Sequence, residues 1–175
     1  LDEAGDFQDV LDFTRRHVKE RKFQIGAQIL CGTIDADRSG AGYADLAEAA
    51  VAALLPRVAD AFAKGERHGQ ISGGGMAVLA MGKLGSRELT GESDLDLIFV
   101  YDYPDPDAIS DGARALPAQQ YFSRLSQRLI NALTVPTAEG KLYEVDMRLR
   151  PSGNSGPVAT RFDGFGDYQR NEAWT

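Results

Sequence analysis

Two aspartates, Asp94 and Asp96, stand two positions apart in the otherwise apolar run SDLDLIFVYD. Side chains alternate between the faces of a strand, so a strand here would project both carboxylates from one face and Leu95, Leu97 and Phe99 toward a core. Two carboxylates on one face repel each other unless a cation separates them. The pair predicts a divalent-cation site, and oxygen ligands suit Mg²⁺ or Mn²⁺. Alternatively, Asp94 caps the preceding turn and Asp96 is solvated.

A second charged segment, LYEVDMRLR, follows at 142–150. If it is a strand, one face is apolar and the other carries Glu144, Asp146, Arg148 and Arg150. Should this strand lie beside the first, Asp146 becomes a third metal ligand. Arg148 and Arg150 would then supply the counter-charge that a triphosphate needs, for which arginine is well shaped. The alternative is a solvated face with local ion pairs.

A glycine-containing turn, GKLGSRE at 82–88, precedes the acidic pair. It offers backbone N–H groups, Lys83 and Ser86 at the start of a short helix, and such a terminus favours phosphate. The run matches neither the P-loop pattern nor GxGxxG. A plain strand-to-helix turn is the alternative.

Hydrophobic periodicity indicates the elements that position these residues. We expect helices at 6–31, 43–64, 118–135 and 162–174, strands at 76–81, 95–101 and 142–149, a tight turn with one short helix at 82–93, and loops at 32–42, 68–75, 103–117 and 151–157. Pro56 should kink or split the second helix. The order predicts an α+β fold, a small mixed sheet with helices packed on it.

Composition limits the functional classes. The 175 residues, of which 43% are hydrophobic and 26% charged, suit one globular domain. A net charge of −7 disfavours a nucleic-acid partner, and no apolar run approaches the roughly 20 residues of a membrane span. The single cysteine cannot form an internal disulfide and fits the cytoplasm. The missing initiator methionine and the abrupt end at Trp174-Thr175 suggest a fragment of a longer multidomain chain.

The motifs in order carry a family resemblance. The stretches GKLGSRELTGESDLDLIFVYD, YFSRLSQRLINALTVPT and LYEVDMRLRPSGNSGPVATRF resemble the glutamine synthetase adenylyltransferase (glutamate–ammonia-ligase adenylyltransferase) family. That family belongs to the polymerase-β-like nucleotidyltransferase superfamily. The likeness covers at least residues 76–175, and the helical region 1–70 looks like the family's lead-in to a catalytic core over 71–175.

The resemblance implies a function and assigns roles to residues. Family enzymes carry two such domains, one transferring AMP from ATP to a tyrosine of glutamine synthetase and one removing it with phosphate. This chain looks more like the C-terminal, AMP-transferring domain. The family pattern then implies Asp94, Asp96 and Asp146 as catalytic and metal-binding acids with Mg²⁺ or Mn²⁺. Its nucleotide-binding residues would be Gly85, Ser86, Lys83, Arg148 and Arg150.

Three functions stay open on the sequence alone. They are AMP transfer, phosphorolytic AMP removal, and an inactive binding module that responds to a PII-type signal protein, the regulator expected for the full-length enzyme. ATP and glutamine synthetase are the partners expected for the first.

Overall fold

A computed structural model describes the backbone of residues 3–173 and the side chains of residues 7–173. Within the described residues, five α-helices and four strands are joined by turns and loops. The elements are α1 (Glu3–Leu30), α2 (Ala36–Asp60) continued by a π-helical turn (Ala61–Gly65), β1 (Gly75–Ala80), α3 (Gly82–Gly85), β2 (Leu95–Asp102), α4 (Ala118–Thr134), β3 (Val145–Asp146), a 3₁₀ turn (Gly153–Ser155), β4 (Ala159–Arg161) and α5 (Phe162–Asn171).

The sheet is mixed and is built around β2. Strand β1 runs antiparallel to β2, from Gly75 opposite Asp102 to Ala80 opposite Leu97. Strands β3 and β4 both run parallel to β2 and follow one another along its other edge. The predicted α+β class with a small mixed sheet and packed helices is confirmed.

The main core lies between one face of the sheet and the helices α1, α2 and α4. Leu95, Leu97 and Phe99 are at most 1% exposed, as alternation along β2 predicts. Helix α4 contributes the expected stripe at a spacing of three and four residues, which contains Phe122, Leu125, Leu129 and Leu133. On the opposite face of β2, Ile98 and Val100 are also buried. Helix α5 contacts β2 as well.

Helix α2 begins earlier than the glycines at positions 40 and 42 suggested. The Asp35 side chain caps it by accepting a hydrogen bond from the amide of Arg38 at 2.8 Å. Gly40 lies within the helix, at a position where a Cβ would stand 3.0 Å from the carbonyl oxygen of Arg87. This glycine therefore permits a close approach to the loop after α3 and does not break the helix.

Of the kink or split predicted at Pro56, the split is wrong, and the kink stays a prediction. Helix α2 continues as an α-helix through Pro56 to Asp60. A π-helical turn then follows over Ala61–Gly65.

The predicted third strand at 142–149 is also wrong in extent, because only Val145 and Asp146 pair with β2. The amides of Leu142 and Tyr143 both donate to the carbonyl of Leu133, at 3.1 and 3.0 Å, so the chain here is tied to the end of α4. After Asp146 the chain turns, and the amide of Arg150 donates to Met147. The alternation that placed Glu144, Arg148 and Arg150 on one face with Asp146 therefore does not hold.

Two further differences concern the C-terminal part. Strand β4 forms between the predicted loop at 151–157 and the predicted last helix, where the sequence analysis placed no element, and Ala159 is buried at its start. Helix α5 ends at Asn171, and the predicted end at Trp174 lies outside the described residues. No helix in the described part of the chain is long and apolar enough to cross a membrane.

The burial of α4 gives a stability prediction. Leu129 is 0% exposed, so Leu129→Ala should lower the free energy of unfolding by about 2–5 kcal/mol through lost burial and a residual cavity. Gln120→Ala on the exposed face of the same helix is the control and should change it by less than about 0.5 kcal/mol. Urea unfolding of both variants measures the difference, and equal midpoints would contradict the assigned packing of α4.

Candidate active site

The acidic pair lies at the beginning of β2. Asp94 immediately precedes the strand and is exposed, while Asp96 within it is partly buried. Leu95 and Leu97 point into the core on the opposite side, at 0% and 1% exposure. The fixed burial of these leucines sets the direction in which the Asp96 carboxylate projects.

Strand β3 brings the third acid to the same place. Asp146 is the register partner of Asp96 across the parallel ladder, although β3 has only two residues. The pKa of Asp96 is raised by partial burial first, and then by the negative charges of Asp94 and Asp146. The positive charges of Arg148 and Lys83 act in the opposite direction. The three predicted acids and two of the predicted cations therefore share one electrostatic environment.

Asp146 has a different balance of charge. The backbone amide of Arg148 donates to its Oδ1 at 2.8 Å, the guanidinium Nε donates to its Oδ2 at 2.6 Å, and a second guanidinium nitrogen contacts the same oxygen. These hydrogen bonds to Arg148 lower the pKa of Asp146, and they outweigh the opposing effect of burial. The hydrogen bonds from Arg148 therefore favour the charged form of Asp146. Burial and the neighbouring carboxylates disfavour the charged form of Asp96.

A glycine that the sequence analysis did not single out completes the pocket around Asp96. Gly82 begins α3 with φ +50°, and a Cβ placed on it would overlap the Asp96 carboxylate. The amide of Met81 donates to the carbonyl of Asp96 at 2.9 Å, which fixes this turn against β2. A glycine directly after the predicted strand at 76–81 was the available signal, since such a position often marks a close approach.

The predicted phosphate-binding residues are not all placed alike. Lys83 stands close enough to Asp96 to lower its pKa. The amides of Gly85 and Ser86 donate to the carbonyls of Met81 and Gly82, both at 2.9 Å, and the Ser86 hydroxyl donates to Glu88 at 3.0 Å. In this structure Gly85 and Ser86 thus shape the turn, and their contact with a nucleotide stays a prediction.

Arg150 is fixed inside the loop that follows Asp146. Its guanidinium donates to the carbonyls of Met147 at 2.9 Å, Asn154 at 3.3 Å and Gly156 at 3.4 Å. Arg148 and Arg150 therefore differ in the structure, since one binds the acidic centre and the other organises the loop.

The carboxylates have the chemistry that a hard divalent cation requires. Among the described side chains of residues 7–173, no three His, Cys, Asp or Glu residues form a group that could hold a metal ion in their present conformations. The guanidinium of Arg148 occupies one oxygen of Asp146, and the backbone amide of Arg148 occupies the other. Burial and, after it, the charges of Asp94 and Asp146 raise the pKa of Asp96, and a divalent cation bound to these oxygens would oppose both effects.

The α+β fold, with a glycine turn before an acidic strand and a third acid beside it, defines a nucleotidyltransferase-like domain. Comparisons with known proteins identify the family. The chain matches the family model of glutamate-ammonia ligase adenylyltransferase over residues 1–175, and so it belongs to this family.

Three similar proteins all bear the name bifunctional glutamine synthetase adenylyltransferase/adenylyl-removing enzyme. The one from Xanthobacter autotrophicus is 55% identical over 176 residues, which cover 100% of this chain and 18% of the relative. The Brucella suis protein is 54% identical over 175 residues, again 100% of this chain and 18% of the relative. The Rhizobium meliloti protein is 52% identical over 169 residues, 97% of this chain and 17% of the relative. The chain thus spans less than a fifth of the length of these proteins.

The close contact at Gly82 gives a test of the pocket. Gly82→Ala should displace the Asp96 carboxylate and strain the turn, so we expect a loss of about 1–3 kcal/mol in the free energy of unfolding. Gly75→Ala is the matched control, because a Cβ there meets nothing within 4 Å. Chemical unfolding of both variants measures the difference, and equal loss in both would contradict the close contact at Gly82.

The raised pKa of Asp96 predicts a pH-dependent effect on stability. A carboxyl whose pKa is higher in the folded than in the unfolded protein costs stability as pH rises through that interval, and the cost persists above it. Asp96→Asn in EDTA should therefore raise the melting temperature at pH 7, by on the order of 1–2 °C because the side chain is only partly buried. The gain should shrink as the pH is lowered toward about 4, near the ordinary aspartate value.

Calorimetry at both pH values tests this, with Asp107→Asn on an exposed loop as the control. A melting temperature lowered equally at both pH values would mean that the Asp96 carboxylate stabilises the fold.

Proposed function

We propose that this chain transfers AMP from ATP to a tyrosine of glutamine synthetase in a metal-dependent reaction. The observation that carries the proposal is the pairing of Asp96 with Asp146 across β2 and β3, with Asp94 one residue before the strand. Family membership supports it, as do the names of the relatives, which include glutamine synthetase adenylyltransferase.

Asp94, Asp96 and Asp146 are the residues that would hold Mg²⁺ or Mn²⁺. When bound, the ion supplies charge stabilisation for the phosphates and favours the ionised form of the attacking hydroxyl. Lys83, whose charge already acts on Asp96, is positioned to contact a phosphate beside the acids. We assign Gly85 and Ser86 to the β- and γ-phosphates and Arg148 and Arg150 to the triphosphate as further counter-charge.

The reaction forms one bond and breaks another. The tyrosine oxygen forms a bond to the α-phosphorus of ATP, and the bond from that phosphorus to the bridging oxygen of the β-phosphate breaks. Pyrophosphate leaves with the electron pair. A phenol has a pKa of about 10, so its proton must be removed, and we assign Asp146 as the acceptor.

Phosphorolytic removal of AMP from glutamine synthetase is the second candidate. It is favoured by the name of the relatives, which joins both activities, and by the small share of each relative that this chain covers. An inactive module that binds a PII-type signal protein is the third candidate, and the three retained acids argue against it. Regulation of the full-length protein by a PII-type protein and a cytoplasmic location stay predictions.

Asp96→Asn tests the assignment, because it removes the charge while keeping the volume. We expect transfer of labelled AMP from ATP to unmodified glutamine synthetase to fall by at least about 10³-fold with the fold retained. Formation of ADP from the AMP-modified substrate and phosphate is measured in parallel, since loss of this reaction instead would assign the second candidate.

Asp102→Asn provides a matched control on the same strand and the same face. Asp102 is exposed at the far end of β2, where it forms a salt bridge with Arg161 at 3.5 Å. This variant should keep its activity, since such a surface pair contributes little to stability. Full activity of Asp96→Asn in both assays at saturating Mg²⁺ would refute the assignment of the acids.

A further inference from the structure

The contact between Arg148 and Asp146 uses the oxygens that a metal ion would need. The backbone amide of Arg148 donates to Oδ1 at 2.8 Å, and its Nε donates to Oδ2 at 2.6 Å. A second guanidinium nitrogen also contacts Oδ2. The carboxylate side chain is only 12% exposed, while that of Arg148 is 74% exposed. The guanidinium is thus the solvent-facing partner of this pair, and it can leave without unpacking the fold.

A phosphate bound beside the acids would offer the Arg148 side chain a second binding partner. The charges of Asp94 and Asp96 act on Arg148, so it lies within the electrostatic field of the whole acidic centre. A guanidinium binds carboxylate and phosphate in the same forked geometry, and water screens the charge of the exposed Arg148 side chain. A triphosphate that entered this centre would therefore compete with Asp146 for Arg148.

Arg150 does not share this freedom. Three carbonyl oxygens of its own loop accept hydrogen bonds from it, and none of its described bonds reaches Asp146. Of the two arginines beside the acids, Arg148 alone is bound to a prospective metal ligand by its side chain.

We propose that Arg148 is a positioning residue that masks Asp146 in the nucleotide-free protein and moves to the triphosphate when ATP binds. ATP thereby exposes the third carboxylate, so that the complete metal site forms only once the nucleotide is present. This inference rests on the proposed nucleotidyltransferase function and adds an order of binding to it.

Direct binding measurements on the purified protein test the proposal without an activity assay. Mn²⁺ binding in the absence of nucleotide is followed by electron paramagnetic resonance, and ATP binding in EDTA is followed by calorimetry. The variants are Arg148→Gln and, as the matched control, Arg150→Gln, which removes the same charge two residues away. Thermal melts in EDTA establish that each variant is folded.

Arg148→Gln should bind Mn²⁺ about three- to tenfold more tightly and ATP at least about threefold more weakly, since it removes the guanidinium from Asp146 and a positive charge from the triphosphate. Arg150→Gln should change Mn²⁺ affinity by less than about twofold, because it leaves Asp146 masked. The opposite changes in Mn²⁺ and ATP affinity are the decisive result, since a merely damaged loop would weaken the binding of both ligands.

Two outcomes would overturn the masking role alone. The first is unchanged Mn²⁺ affinity in Arg148→Gln together with lost binding in Asp96→Asn, which leaves the metal site standing. The second is Mn²⁺ binding that Arg150→Gln tightens as much as Arg148→Gln does, since the gain would then come from charge removal anywhere in the loop. Absence of Mn²⁺ binding in every variant, the unaltered protein included, would overturn both the masking role and the proposed function.

Discussion

Burial of strand β2 on both faces is the constraint on which the arrangement of this molecule depends. Phe99 is fully buried against the helices, and Ile98 and Val100 are buried on the other face. A shift of the β2 register by one residue would exchange the two faces, so that Asp96 would turn toward the core and the two leucines beside it away from the core. The register of β2 also determines the orientation of its first residues, and so the carboxylate of Asp96 has a fixed direction.

Repulsion between the carboxylates and their partial burial destabilise the acidic centre, and the surrounding positive charges offset this only in part. Arg148 stabilises Asp146 directly, whereas the pKa of Asp96 remains raised despite the charges of Arg148 and Lys83. Gly82 brings the start of α3 against the carboxylate of Asp96, a position that no larger residue could take without overlap. Strain and repulsion concentrated at one place agree with a site that is completed by ligands.

The sequence predicted those parts of the fold in which local pattern and tertiary packing agree. Strand β2 and helix α4 have strong periodicity, and the predicted bounds of both agree with the structure to within one residue. The orientation of Leu95 and Leu97 followed from alternation alone. Strand β3 was overestimated because the alternation in LYEVDMRLR is real, yet Leu142 and Tyr143 are tied to Leu133 at the end of α4. These hydrogen bonds connect different elements of the fold, and hydrophobic periodicity along the sequence does not predict them.

The site itself was predicted by residue type and not by its detailed geometry. Asp146 was expected beside Asp96 from an extended strand, and it is there through only two paired residues. The different placements of Arg148 and Arg150 could not follow from alternation, because both lie in the turn after β3 and their partners are set by that turn. A short strand suits a centre of this kind, since it fixes Asp146 in register while leaving the following loop outside the ladder. Arg148 can therefore exchange partners beside a carboxylate whose backbone is held in place by the sheet.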